Sequence, residues 1–114
     1  MVAHVVLFTP KASMTSEERD AFVGALEAAL RDIPSIARAT VGRRFLTGRP
    51  YDAMPMTAYE YVAVIEFASR TDLVAYLDHP AHDALGRQFY LHAEEAAAYD
   101  VDMVDGADAR LLLS

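Results

Sequence analysis

The chain has 114 residues, 54% hydrophobic and 24% charged, a balance that fits one compact domain and excludes a disordered chain. Ten basic residues against 17 acidic ones leave a net charge of −7, a field that repels nucleic acid and anionic lipid. Cysteine is absent, which removes disulfides, zinc-thiolate sites and thiol catalysis.

Met1-Val2-Ala3-His4 leads directly into a strand-like run, with no basic leader and no apolar stretch of membrane-spanning length. The expectation is a soluble, cytoplasmic protein without membrane contact. Val2 to Thr9 is dense in β-branched and aromatic residues and ends at Pro10, which predicts a strand. Val2, His4, Val6 and Phe8 share one of its faces; Ala3, Val5 and Leu7 share the other. Thr15 with Glu18 three residues on reads as a capping box. Phe22, Leu26, Ala29, Leu30 and Ile33 then recur at helical spacing until Pro34.

Ile36 to Phe45, with Arg38, Arg43 and Arg44, suits an edge strand. Residues 46–58, with Gly48, Pro50 and Pro55, read as a long loop. Tyr59 to Phe67 alternates as a second strong strand, and Thr71 to Leu77 forms a short helix broken at Asp78-His79-Pro80. Ala81 to about Ala98 reads as a longer helix, on which His82, Leu85, Phe89, Ala93 and Ala96 share a stripe. Tyr99 to Val104 alternates as a half-exposed strand, and Gly106 opens a tail ending in three leucines. Residues 1–106 form the expected domain and 107–114 the tail.

The order is βαββαβ, the ferredoxin-like α+β arrangement: four antiparallel strands with the helices on one face. Helices on one face leave the other uncovered. Val5, Leu7, Val62 and Val64 would lie bare there, the kind of patch that marks an association surface. A homodimer stacked through the open sheet face is expected.

Four histidines carry the candidate chemistry: His4, His79, His82 and His92. Pro80 disfavours a helical His79 and suits the first turn of the next helix. His82 then lies near the positive end of that helix, where a neutral ring is favoured. It reads either as a core histidine satisfied by one hydrogen bond or as a general base. Tyr76, six residues earlier, could reach the same pocket mouth as a proton donor. His4 would line a cavity or make one buried hydrogen bond, and His92 is assigned to the periphery. The paired carboxylates Glu94-Glu95 and Asp100-Asp102 read as solvated charge. No metal ligand set is assigned, because the rings of His79 and His82 need not converge across Pro80.

His4-Val5-Val6-Leu7-Phe8, Glu66-Phe67, Tyr76-Leu77-Asp78-His79-Pro80-Ala81-His82 and Tyr99-Asp100-Val101 together resemble the stress-responsive A/B barrel domain (Dabb) family over about residues 2–104. The resemblance implies a dimeric α+β barrel of two ferredoxin-like subunits. It also extends distantly to a plant polyketide cyclase, olivetolic acid cyclase, which closes a poly-β-ketoacyl thioester by an intramolecular aldol reaction. That likeness implies Tyr76 and His82 as the acid/base pair and His4 as a pocket histidine, while Tyr61 replaces a further pocket histidine.

Three functions are compatible with these residues. The first is cofactor-free acid/base chemistry of polyketide-cyclase type on a small hydrophobic carbonyl ligand. Its cavity would be lined by Val6, Phe8, Phe22, Leu26, Tyr61, Leu73, Leu85 and Phe89. The second is a non-enzymatic stress-related dimer or ligand carrier. The third, a cofactor-free monooxygenase, rests on fold analogy alone. None of the three requires a cofactor.

Overall fold

The computed structural model describes residues 1–113. Its sheet holds β1 (Val2–Pro10), β2 (Arg38–Arg43), β3 (Tyr61–Phe67) and β4 (Ala93–Asp102) in the order β2-β3-β1-β4. All three strand pairings are antiparallel. The helices are α1 (Ser16–Asp32), α2 (Arg70–Leu77) and α3 (Pro80–His92). This is the ferredoxin-like α+β fold.

Local chemistry sets most boundaries. Thr15 Oγ1 accepts from the Glu18 N–H while Glu18 Oε1 accepts from the Thr15 N–H, closing the capping box of α1. The helix ends at Asp32, and Ile33, buried in the core, caps it ahead of Pro34. In the 46–58 loop, the Asp52 carboxylate accepts from the Thr47 and Gly48 N–H groups. Gly48 there has φ +82°, a left-handed conformation that glycine adopts without a Cβ penalty.

The core lies between the helices and one face of the sheet. Val2, Ile65 and Phe67 from the strands pack with Ala29 and Ile33 of α1, Leu73 and Tyr76 of α2, and Leu85 of α3. The opposite face presents Val5 and Leu7 of β1, Val62 and Val64 of β3, and Ala97, Tyr99 and Val101 of β4, aligned by the register. Glu66, opposite Ala3, stands at one end of that apolar field.

The last helix is shorter than its composition suggests. The expectation of helix to about Ala98 and a strand from Tyr99 is corrected: α3 stops at His92 and β4 begins at Ala93. Ala93 to Ala98 has high intrinsic helix propensity. Pairing with β1 overrides it, from Pro10↔Ala93 to Val2↔Asp102, and the Lys11 N–H donates to the His92 carbonyl at 2.7 Å. The second strand is likewise shorter, Arg38–Arg43, and the third begins at Tyr61. His92, at the end of α3, is 13% exposed at its side chain and lies 3.6 Å from Glu18.

Candidate functional site

Three polar rings converge beneath the helices. Tyr76 sits in the last turn of α2, and His82 sits in the first turn of α3 after the Pro80 break. His4 approaches from the middle of β1, on the face that carries Val2, Val6 and Phe8. The Tyr76 and His82 ring centroids are 4.8 Å apart, with the planes tilted by 63°. His4 is 5.7 Å from Tyr76 and 6.4 Å from His82 by the same measure.

All three line a cavity of about 320 Å³, with Val6, Leu26, Ile65, Leu85 and Phe89 among its apolar walls. That volume lies at the lower end of the range of ~300–1,000 Å³ typical of small-ligand sites. The cavity exists because β4 fills little of the space beside the helices. Ala96 and Ala98, opposite Phe8 and Val6, line it with methyl groups alone.

Burial and charge tune each ring. Tyr76 is 1% exposed, and burial pushes its phenol up to about 12, so it holds its proton and acts as a donor. Burial also lowers the His82 imidazole below its ordinary value, helped by the adjacent His4; Asp83 and a hydrogen bond to the Leu77 backbone oppose the shift. Neutral His82 retains a lone pair, the requirement for a base. His4, 6% exposed, directs Nδ1 at Asp100 Oδ1 across 2.6 Å. The Nδ1–H donates to the carboxylate, which fixes the tautomer and leaves Nε2 as the second polar atom of the ring.

The structure brings His4, Leu26, Tyr76, His82, Leu85 and Phe89 to one cavity, together with Val6. Phe8, Phe22 and Tyr61 instead border a neighbouring hollow of about 210 Å³, which Leu26 also borders. The reason is an aromatic partition. Phe89 lies 4.9 Å from Phe8 and 5.0 Å from Phe22 by ring centroid, and the three rings fill the space between the hollows. Leu73 belongs to the core cluster instead.

Asp100 escaped the sequence reading. Its alternation with Asp102 suggested solvated charge, and only the register His4↔Asp100 reveals its partner. Gly86 and the β4 alanines also escaped, since small residues carry no polar signal. Among the described residues, no cluster of three or more His, Asp or Glu side chains could hold a metal ion. Nor is any helix long and apolar enough to cross a membrane.

No curated protein matches the chain. Solved structures do. A Dabb family protein from Mesorhizobium loti is 24% identical, with 90% of this chain and 96% of that chain covered at a TM-score of 0.68. A dimeric ferredoxin-like protein of unknown function from Thermobifida fusca is 19% identical, covering 90% of each chain at 0.68. The hydroxynitrile lyase of Passiflora edulis is 13% identical, covering 91% of this chain and 94% of that chain at 0.73. These likenesses concern the fold. Residues 2–103 match the family described as the stress responsive A/B barrel domain. The chain belongs to this family, Dabb.

Proposed function

We propose that the cavity takes a small hydrophobic carbonyl compound and that Tyr76 and His82 perform cofactor-free acid/base chemistry on it, of the aldol type used in polyketide cyclisation. One observation carries the reading: the rings of His4, Tyr76 and His82 converge on a single cavity whose other walls are apolar. Apolar walls bury and fold the ligand's hydrocarbon part, leaving the rings for its oxygen atoms.

In that reaction His82 takes a proton from the carbon between two carbonyls, and the electron pair moves to oxygen as an enolate. The Tyr76 hydroxyl hydrogen-bonds that oxygen. The enolate carbon then attacks a second carbonyl of the same chain, forming the new C–C bond. The resulting alkoxide takes the proton held on His82. Positioned acid–base groups of this kind supply about 10²–10⁴-fold. Asp100 supports the site by orienting His4.

The functional unit in this reading is a homodimer closed over the apolar face of Val5, Leu7, Val62 and Val64. Stacking two such faces removes a patch that a monomer leaves in contact with water. The related fold in Thermobifida fusca is described as dimeric.

A carrier is the second reading, favoured by the edge-to-face packing of Tyr76 on His82, which a purely structural pair also adopts. Exchange separates the two. A panel of β-diketones, methyl ketones and alkylresorcinol acids is titrated by NMR, and α-deuteration of the ketones is followed in D2O. Saturable binding with exchange above buffer, lost in His82→Ala and Tyr76→Phe, supports catalysis. Binding without exchange assigns a carrier, and no binding across the panel overturns the carbonyl-ligand reading.

A further inference from the structure

The turn between α2 and α3 is tied together at His79. Its backbone N–H donates to the Tyr76 carbonyl at 3.2 Å, and its own carbonyl accepts from the His82 N–H at 2.9 Å and the Asp83 N–H at 3.3 Å. One residue therefore links the backbones of the two candidate catalytic groups. Its side chain makes a further bond: Nδ1 accepts from the Ala81 N–H at 3.0 Å, which makes the imidazole the N-cap of α3. Pro80 occupies the position between them and has no N–H to satisfy.

Ser, Thr, Asp and Asn are the usual caps, and each keeps its acceptor across the physiological pH range. An imidazole serves only while neutral, with its proton on Nε2 and a lone pair on Nδ1. We propose that His79 is a positioning residue of the site, its neutral imidazole setting the entry of α3 and thereby the angle at which His82 meets Tyr76. The effect on rate rests on the acid/base reading above; the effect on geometry does not.

Protonation of Nδ1 removes the acceptor and breaks its bond to the Ala81 N–H. The charged groups around it are acidic: Asp78 precedes it, Asp83 lies in the first turn of α3, and Asp32, at the end of α1, is paired with Arg31 and feels the charge of His79. Acidification therefore loosens the presentation of His82 through the turn, separately from protonation of His82 itself.

The test compares full-length wild type, His79→Ala and His79→Asn. Asparagine keeps a capping oxygen and does not titrate. Two readouts are taken by NMR across pH: cross-relaxation between the His82 and Tyr76 rings, and the His82 titration midpoint. The rate of ketone α-deuteration is the third. In His79→Ala the ring contact weakens, the His82 midpoint returns toward the ordinary imidazole value and exchange falls about tenfold. In His79→Asn all three persist, and the weakening of the ring contact that wild type shows on acidification disappears. Retention of ring contact and midpoint in His79→Ala overturns the proposal. So does their loss in a His79→Asn protein that circular dichroism shows to be folded. Absence of exchange in wild type counts against the catalytic reading alone, since the ring contact still reports on positioning.

Discussion

His4 Nδ1 and Asp100 Oδ1 stand 2.6 Å apart across adjacent strands, joining residues 96 positions apart in the chain. The histidine side chain is 8% exposed and the aspartate 49%. The pair thus runs from the wall of the cavity to the protein surface. The carboxylate holds the tautomer of the His4 imidazole beside His82.

Asp100→Asn keeps the shape but replaces the anionic acceptor with an amide that rotates to offer either oxygen or nitrogen. Because the aspartate is half exposed, water compensates part of the loss, and stability falls by about 1 kcal/mol. Urea unfolding measures that change. Ketone exchange slows as the His4 tautomer becomes mixed. Unchanged stability together with unchanged exchange would show the pair to be incidental.

His82 gives the site a pH signature. Its imidazole is lowered in the folded state by burial and by His4, so the unfolded chain binds the proton more readily. The group therefore penalises folding once pH falls below the ordinary imidazole value near 6.5, and the penalty is complete below the lowered folded value. Above 6.5 it makes no difference to stability. His82→Gln, which cannot titrate, flattens this part of the stability–pH curve between wild-type and variant urea midpoints. The same lowered value predicts that exchange persists at mildly acidic pH, where an ordinary imidazole is already half protonated.

The cavity itself is testable without touching a polar group. Ala98 lines it opposite Val6. Ala98→Leu places a branched side chain in the void, where it displaces ligand rather than neighbouring protein. Stability is unchanged or rises by up to about 1 kcal/mol, because a partly empty cavity is filled. Ligand titrations by NMR report the outcome: affinity falls at least about tenfold. A ligand that binds Ala98→Leu as tightly as wild type lies elsewhere.

Most of the fold was legible because hydrophobic period and local punctuation agree. Thr15 and Glu18 announced α1, Pro34 ended it, and the apolar pattern of β1 and β3 agrees with their central place in the sheet. The junction of α3 and β4 was not legible. Ala93-Glu94-Glu95-Ala96-Ala97-Ala98 has the composition of a helix, and only its pairing with β1 makes it a strand. Asp100 lay inside the expected strand, and only the register His4↔Asp100 shows what it pairs with. Tyr76 and His82 could be brought together from sequence, since only Asp78 and His79 separate the end of one helix from the start of the next. The division into two hollows could not, because it depends on how Phe8, Phe22 and Phe89 pack around one another.

The open sheet face yields a prediction about assembly. Val64 is cross-strand neighbour to Val5 of β1 and Thr40 of β2, at the centre of the apolar field. In a stacked dimer Val64→Asp brings a carboxylate from each subunit into a dry interface, where neither finds a cation. Burying an unpaired carboxylate costs several kcal/mol, more than enough to shift association by orders of magnitude. In the isolated subunit the same side chain faces water, so the helices and the cavity on the other face are undisturbed. Light scattering coupled to size exclusion therefore shows a dimer for wild type and a folded monomer for Val64→Asp. A Val64→Asp protein that remains dimeric places the interface on another surface, and the helix-side exposed residues Val41 and Val74 would be the next to substitute.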